Sequence, residues 1–518
     1  MILKTDNFIE QNILNKSKFF LIYLNLFLSF VQVSISSFKT ETFLIVVIIN
    51  LSTILTYNIV FKKENLIHNL VGSLMVAAIN IFYLSGPLII KTILFQEITS
   101  NLNLPMKSFI IAFFFQIIAI LAFVITINSK NDTQDTDYNK TILFRLKVFN
   151  YFDLRSTLKL FLILLFIKLY LNSIDQGLGA FTEFSSMTMK FLYGIEKFYY
   201  LPILFYFNLY FYHKKVTKKK FIIFLLINSL LFILFGLLSN TRSEILIGFF
   251  MITLNFLIIF IFSADKNYKK NIKYFFIYIV FFVVIFQMLS QTILEKRAIQ
   301  SEVTAIDLLK YSIGVYNFEK DDINISTEYD AEDYTGNSVF NRFTAIKYLD
   351  KTLFESSFLS TSQINDFKKF SLMRMLAVFP ENLINKFNKQ YKKEAYFIAT
   401  GSYIEQKSGF RFGGKMSAGS FLTEIILLTN SYLLSAIILF FIFFLIFNII
   451  IKFQIKDKNT ITYSPLLILL TYDLIFFVNS DSLLSFINLS IRTTLQYVLI
   501  YYLLNIIINR EQNINLKK

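Results

Sequence analysis

KKKFIIFLLINSLLFILFGLLSNTRSEILIGFFMITLNFLIIFIF, residues 218–262, decides the fold. Three lysines lead into an apolar run, a polar break SNTRSE, and a second apolar run. Each run is close to the ~20 residues that an α-helix needs to cross a bilayer. A backbone in lipid must satisfy its own hydrogen bonds, so both runs are expected to be helical. Lys218, Lys219 and Lys220 mark their end as cytoplasmic, because Lys and Arg accumulate on that side. The break, with Arg242 at its centre, then falls on the opposite face.

The same grammar extends in both directions. About twelve spans are expected, near 18–36, 43–61, 66–90, 107–127, 157–174, 197–213, 221–239, 244–263, 274–294, 420–451, 461–480 and 483–508. The fold class is all-α, a polytopic membrane protein with one large periplasmic loop domain. The intervening loops alternate in charge. One set carries Lys62 and Lys63; Lys130, Lys140, Arg145, Lys147 and Arg155; Lys214 to Lys220; Lys266 to Lys273; Lys452 to Lys458; and Arg510, Lys517 and Lys518. The other holds only Lys39, Lys91 and Lys107, Lys190 and Arg242. The rich set is expected to be cytoplasmic, with both termini on that side of the bacterial inner membrane. Residues 1–294 form the N-terminal membrane part, 295–417 the outer segment and 418–518 the C-terminal membrane part.

Bulk composition agrees. The chain of 518 residues is 55% hydrophobic, and its net charge of +16 is explained by cytoplasmic loops without nucleic acid as a partner. Cysteine is absent, which removes disulfides, thiol catalysis and thiolate metal sites. The first apolar run follows Lys4, Lys16 and Lys18 and is expected to remain as an anchor. No GxxxxGK[ST] suggests ATP hydrolysis, and no repeat of two related halves is visible.

The segment 295–417 carries Arg297, Arg342, Arg374 and Arg411. FSLMRMLAVF, residues 370–379, has helical spacing and ends at Pro380. The acidic stretch 321–333 reads as a solvated loop, since the spacing of a calcium loop is missing. The run 420–451 is too long for one span. Phe421 to Leu428 is expected to be a short helix carrying Glu424, broken at Thr429, Asn430 and Ser431.

Several residues are candidates for chemistry. Thr241 and Glu244 fit a capping box, T-x-x-E, which reads Arg242 as a loop residue before a helix. The alternative is an anion site made of free N–H groups, the helix dipole and a guanidinium. Arg411 and Lys415 flank Gly413 and Gly414, a basic loop suited to a phosphate or merely interfacial. Asp473 and Arg492 lie inside spans, about 12–15 Å below the turn at 479–482, and are expected to pair. Asn488, Arg492 and Gln496 form one polar stripe. Lys168, near a helix end, is expected to snorkel. His68 and His213 map to cytoplasmic helix ends, so neither serves as an outer base and no histidine metal site is expected.

The layout resembles the Wzy-type O-antigen polymerases, the oligosaccharide repeat-unit polymerases. NTRSEILIGFF resembles the family's small-residue and arginine turn, with the large outer loop one helical hairpin later. GGKMSAGSFLTEIILLTNSYLLSAIILFF and INLSIRTTLQYVL resemble its acidic short helix before a span and its late arginine-bearing helix. Asn430-Ser431 stands where the family often has glycine. The resemblance implies a membrane glycosyltransferase that joins polyprenyl-diphosphate-linked repeat units on the periplasmic face, making O-antigen, capsule or exopolysaccharide. It uses no cofactor. Arg242, Arg411 and Arg492 would stabilise the leaving diphosphate, and Glu424 would deprotonate the acceptor hydroxyl. Lys415, Glu244, Arg342, Arg374 and Asp473 would hold substrate. Its partners would be the lipid-linked oligosaccharide, membrane lipid and a chain-length regulator protein. A lipid-linked oligosaccharide flippase or an O-antigen ligase are the competing readings; the first would show short outer loops, the second an outer histidine.

Overall fold

The computed structural model describes residues 2–4, 11–131, 142–174, 187–239, 241–262, 278–280, 285–286, 289, 334–335, 340–387, 391–396, 398–410, 418–457, 460–477 and 482–515. A short strand β1 (Ile2–Lys4) precedes the helices α1 (Gln11–Ile35) and α2 (Thr40–Val60). These two pack as a hairpin stitched by Asn25, Asn50 and Ser29, with side-chain bonds of 2.7 and 2.9 Å. Such amides fit a membrane interior, where a polar side chain must find a partner on the next helix. α3 (Lys63–Asn80) runs through a π turn, Ile81–Ser85, into α4 (Gly86–Ile93). A Cβ at Gly86 would overlap the Ile81 carbonyl oxygen, so glycine is what lets that turn close.

α5 (Pro105–Asn131) and a one-turn α6 (Ile142–Arg145) lead to α7 (Leu154–Ile174). α8 (Met187–Glu196) passes through a 3-10 turn, Lys197–Tyr200, into α9 (Leu201–Phe211). The quoted stretch folds as α10 (Lys218–Leu238) and α11 (Arg242–Phe262). Small residues set their approach. A Cβ at Gly236 would strike Ile245, and one at Gly248 would strike the Phe232 ring.

Within the polar segment lie α12 (Ile346–Ser356), α13 (Thr361–Leu376), α14 (Glu381–Ile384) and α15 (Thr400–Ser408). α13 contains most of the stretch expected to be helical and stops before Pro380. Its start is a capping box made by Ser360 and Gln363. α16 (Phe421–Thr429) and α17 (Tyr432–Lys452) divide the long apolar run as expected. Asn430 sits between them at φ 52°, a left-handed position that asparagine tolerates nearly as glycine does. The strands β2 (Gln454–Asp457) and β3 (Thr460–Tyr463) follow, then α18 (Pro465–Phe477) and α19 (Leu483–Ile487). A second π turn, Asn488–Thr493, leads into α20 (Thr494–Asn515).

Among the described residues, eight helices are long and apolar enough to cross a membrane: Gln11–Ile35, Thr40–Val60, Lys63–Ile93, Pro105–Ser129, Lys218–Leu238, Arg242–Phe262, Tyr432–Lys452 and Leu483–Ile508. Of the other four expected spans, α7 coincides with 157–174 and α9, with the turn before it, with 197–213. Most of 274–294 lies outside the described residues, as does the acidic stretch 321–333. At the span expected over 461–480, residues 461–463 belong to β3, and the described part of the helix, α18, covers 13 apolar residues. TITY alternates buried and half-buried side chains, which is strand periodicity. The three strands pair antiparallel in the order β1-β3-β2, a small sheet on an otherwise helical fold.

Contacts sort the connections into two ends. At one end Gln11 reaches the Phe61 carbonyl at 3.2 Å, Lys456 reaches His68 at 3.2 Å, and Ser464 reaches the Val148 carbonyl at 2.9 Å. At the other, Lys39 pairs with Glu97 at 2.8 Å and Gln32 donates to the Gln96 carbonyl at 2.9 Å. This second end receives the polar segment. Asp350 of α12 accepts from the Asn103 and Leu104 amides at 2.6 and 2.8 Å and from Ser108 at 2.9 Å, over the start of α5. Among the described residues, the first end carries Lys62, Lys63, Lys452 and Lys456, and the second carries Lys39, Lys91 and Lys107.

Candidate functional site

The site begins at the first turn of α11. The Thr241–Glu244 capping box is not made. The Thr241 amide donates to the Gly236 carbonyl at 3.0 Å, and its hydroxyl bonds Ser239 at 2.7 Å. Glu244 is drawn away by stronger partners. Its Oε2 accepts from the Tyr200 hydroxyl at 2.9 Å and pairs with Lys168 Nζ at 2.9 Å. Lys168 also bonds Glu196. The expectation that Lys168 snorkels is therefore corrected. Its side chain is 3% exposed, because two carboxylates meet the ammonium among the helices and remove any need to reach the surface. Arg242, two residues from Glu244, is itself buried in the same first turn.

The 3-10 turn between α8 and α9 aims its neighbours in different directions. Glu196 meets Lys168, Tyr200 meets Glu244, and Lys197 Nζ meets Asp473 at 3.1 and 3.4 Å. The Tyr497 hydroxyl completes this second group, donating to Asp473 Oδ2 at 3.4 Å. Tyr200 of the first group and Lys197, Asp473 and Tyr497 of the second line a narrow cleft together with Ile247, Met251, Leu469 and Tyr472. A second cleft between α17, α18 and the second π turn is walled by aliphatic side chains and Phe453, with Ser490 and Thr494 as its polar members. It offers nothing for bond chemistry.

The expected Asp473–Arg492 pair is corrected as well. Asp473 binds Lys197 and Tyr497, and Arg492 is exposed with no ion pair among the described residues. The cause is helical phase. Arg492 lies in the π turn 488–493, five residues before Tyr497, and its side chain is exposed where that of Tyr497 is buried. The stripe divides too, for Gln496 packs against Gly194, where a Cβ would strike its amide.

Glu424 belongs to another cluster. It is 1% exposed, accepts from Ser371 of α13, and accepts from the Leu483 amide at the start of α19 at 2.6 Å. One turn along α13, Arg374 is buried and donates to Thr400 of α15. Nearby Lys351 sits 3.6 Å from Glu405 and 3.9 Å from Glu355. Arg342 lies in the 3-10 turn Phe340–Phe343, and its side chain lies outside what is described. Arg411 and Lys415 also lie outside the described residues.

The structure thus brings Arg242, Glu244 and Asp473 into one region of the helices and sets Glu424 and Arg374 in a second. Lys168, Glu196, Lys197, Tyr200 and Tyr497 are the members that sequence reasoning missed. The signal was available for Lys168 and Glu196–Lys197, charges within or beside apolar runs. His68 and His213 both lie at the basic end, His68 against Lys456 and His213 just beyond α9. No protein family, no curated protein and no solved structure matches this chain.

Proposed function

We propose that this chain polymerises polyprenyl-diphosphate-linked oligosaccharide repeat units at the periplasmic face of the bacterial inner membrane. The observation that carries the reading is Arg242. A guanidinium is buried in the first turn of a membrane-length helix, beside a carboxylate already held by a buried lysine. It places a cation at the start of a membrane-length helix, where the helix dipole is positive as well. Breaking a sugar–diphosphate bond builds charge on the departing phosphate, and preorganised donors stabilise it best where water is scarce. The basic connections at the opposite end support a cytoplasmic assignment for that end. Glu424, bonded to Ser371 and to the Leu483 amide, acts here as a brace that fixes the polar segment to the last membrane helix.

A flippase for the same lipid-linked unit is the second reading. It is favoured by helices interrupted at 81–85, 197–200 and 488–493 around charged groups at membrane depth, a pattern shared with transporters. One experiment separates the two: deletion in the native host, followed by gel analysis of surface polysaccharide. A polymerase deletion leaves a single repeat unit attached and no ladder, while a flippase deletion removes every repeat unit. Complementation with Arg242→Ala should leave the ladder absent, and Arg242→Lys should restore little of it, because a planar two-pronged donor suits a diphosphate better than an ammonium does. A normal ladder from Arg242→Ala at normal protein level rules the arginine out of the chemistry.

A further inference from the structure

We infer that α13 and α14 lie in the bilayer interface on the side of the polar segment, and that lipid of that leaflet covers the edge Leu372, Leu376, Phe379, Leu383 and Phe387. This edge belongs to the segment 295–417, which hydropathy alone sets outside the membrane, and the inference does not depend on the polymerase reading. All five side chains are apolar and exposed, Phe387 at 91%. Leu372 and Leu376 share one face of α13, and the spacing of three or four residues continues through Phe379, Leu383 and Phe387. A row of large apolar side chains at the surface marks a place that something apolar covers.

Level is the first argument. α16 runs back along the start of α17: the Thr429 and Ser435 hydroxyls bond at 2.8 Å, and Ser435 donates to the Ile425 carbonyl at 3.5 Å. Ser435 is three residues into α17, so Ile425 and its neighbour Glu424 stand roughly 5 Å below the start of that helix. α17 is membrane-length, and over this first turn it presents Leu433 and Leu434, 73% and 51% exposed, to acyl chains. Ser371 of α13 bonds Glu424. Leu372 follows directly, so the apolar edge begins at the level where α17 already meets lipid.

The two faces of α13 are the second argument. Phe367, Phe370, Ser371 and Arg374 are buried, and the two rings share a core with Ile404 and Leu427. At 3.6 residues per turn, about 100° for each residue, Leu372 and Leu376 lie on the opposite side of the helix. In the first half of α13 the exposed positions are polar, Thr361, Ser362, Asn365 and Asp366 among them; after Lys369 they are Leu372 and Leu376. A helix in water keeps a polar outer face along its length. The change partway along α13 fits a helix whose C-terminal half dips into an interface. The charges beside the edge, Lys369, Glu381 and Lys386, are exposed, and lysine stems are long enough to keep their ammonium groups among headgroups. Lipid on this edge holds α13, and with it the Ser371–Glu424 bond, down on the membrane helices.

The chain has no tryptophan, so Leu372→Trp, Phe379→Trp and Leu433→Trp each give a single emitter. Each full-length variant is checked by size-exclusion chromatography and reconstituted in phosphatidylcholine vesicles, plain or brominated on the acyl chains, with iodide as the quencher in water. Leu372→Trp and Phe379→Trp should lose at least about half as much emission to bromolipid as Leu433→Trp does, and should resist iodide. The unsubstituted chain is tested beside them in vesicles holding a phosphatidylcholine with a photoactivatable diazirine on its acyl chain, and peptides carrying residues 372–387 should take the label. Iodide quenching without bromolipid quenching places the edge in water. Quenching by neither shows it covered by protein, whether this chain or a second copy. Either result overturns the inference, as does a lack of label on 372–387 in a chain whose α17 is labelled.

Discussion

Replacing Lys168 with methionine tests the polar network directly. Methionine keeps the length and apolar bulk of the side chain and removes the ammonium. Two carboxylates, Glu196 and Glu244, would then face one another without the cation between them. Removing one partner of a buried ion pair costs about 3–5 kcal/mol, chiefly because the remaining charge is stranded. The two glutamates are 20% and 22% exposed, so water relieves part of the cost and the lower end, about 3 kcal/mol, applies. At an unfolding entropy of roughly 2.1 cal/mol/K per residue, a chain of 518 residues melting as one unit loses about 3 °C. The assay is the melting midpoint of the full-length protein in detergent, followed by size-exclusion chromatography. Glu244→Gln alone should cost less, since Lys168 keeps Glu196. The double variant should fall short of the summed losses by about 1 kcal/mol, the signature of groups in contact. A Lys168→Met protein that melts with the wild type, or strictly additive losses, would refute the network.

Three other outcomes follow from separate contacts. Glu424→Ala strands the Leu483 amide and the Ser371 hydroxyl, at about 1–3 kcal/mol each, and should loosen the polar segment to proteolysis; Glu424→Gln, which keeps one acceptor oxygen, should be milder. Gly86→Ala drives a methyl group into the Ile81 carbonyl and should lower the melting midpoint, whereas an unchanged midpoint would argue against the π turn. The parent has no cysteine, so Ser357→Cys and Lys218→Cys, both at exposed positions, can be labelled on intact spheroplasts with an impermeant reagent; label at 357 alone is expected, and label at 218 alone reverses the orientation.

Much of the helical plan was legible because lipid leaves the backbone so few options. The break at Asn430 could be read for the same reason: an apolar run of 420–451 is longer than one crossing, and Thr-Asn-Ser marks where it yields. The strand Thr460–Tyr463 was hidden because four residues of TITY continue smoothly into an apolar helix, and hydropathy sees no boundary there. The site was less legible than the fold. Thr241 and Glu244 have the spacing of a cap, but spacing does not say whether a lysine from α7 will offer the glutamate a better partner.

Asp473 makes the same point with more force. Depth along a helix can be counted from a sequence, and it placed Asp473 and Arg492 at similar distances below a common turn. Azimuth is what decides contact, and it depends on which face each helix turns inward. Here Tyr497 faces α18, while Arg492, five residues earlier, sits inside the π turn 488–493 and is turned to an exposed side. The partner came instead from Lys197, 276 residues earlier, at a 3-10 turn that no periodicity announces. An intramembrane carboxylate demands a partner on energetic grounds, so its existence was predictable. Which cation answers is a property of the assembled helices. The choice matters structurally, because pairing with Lys197 ties α18 to the turn before α9.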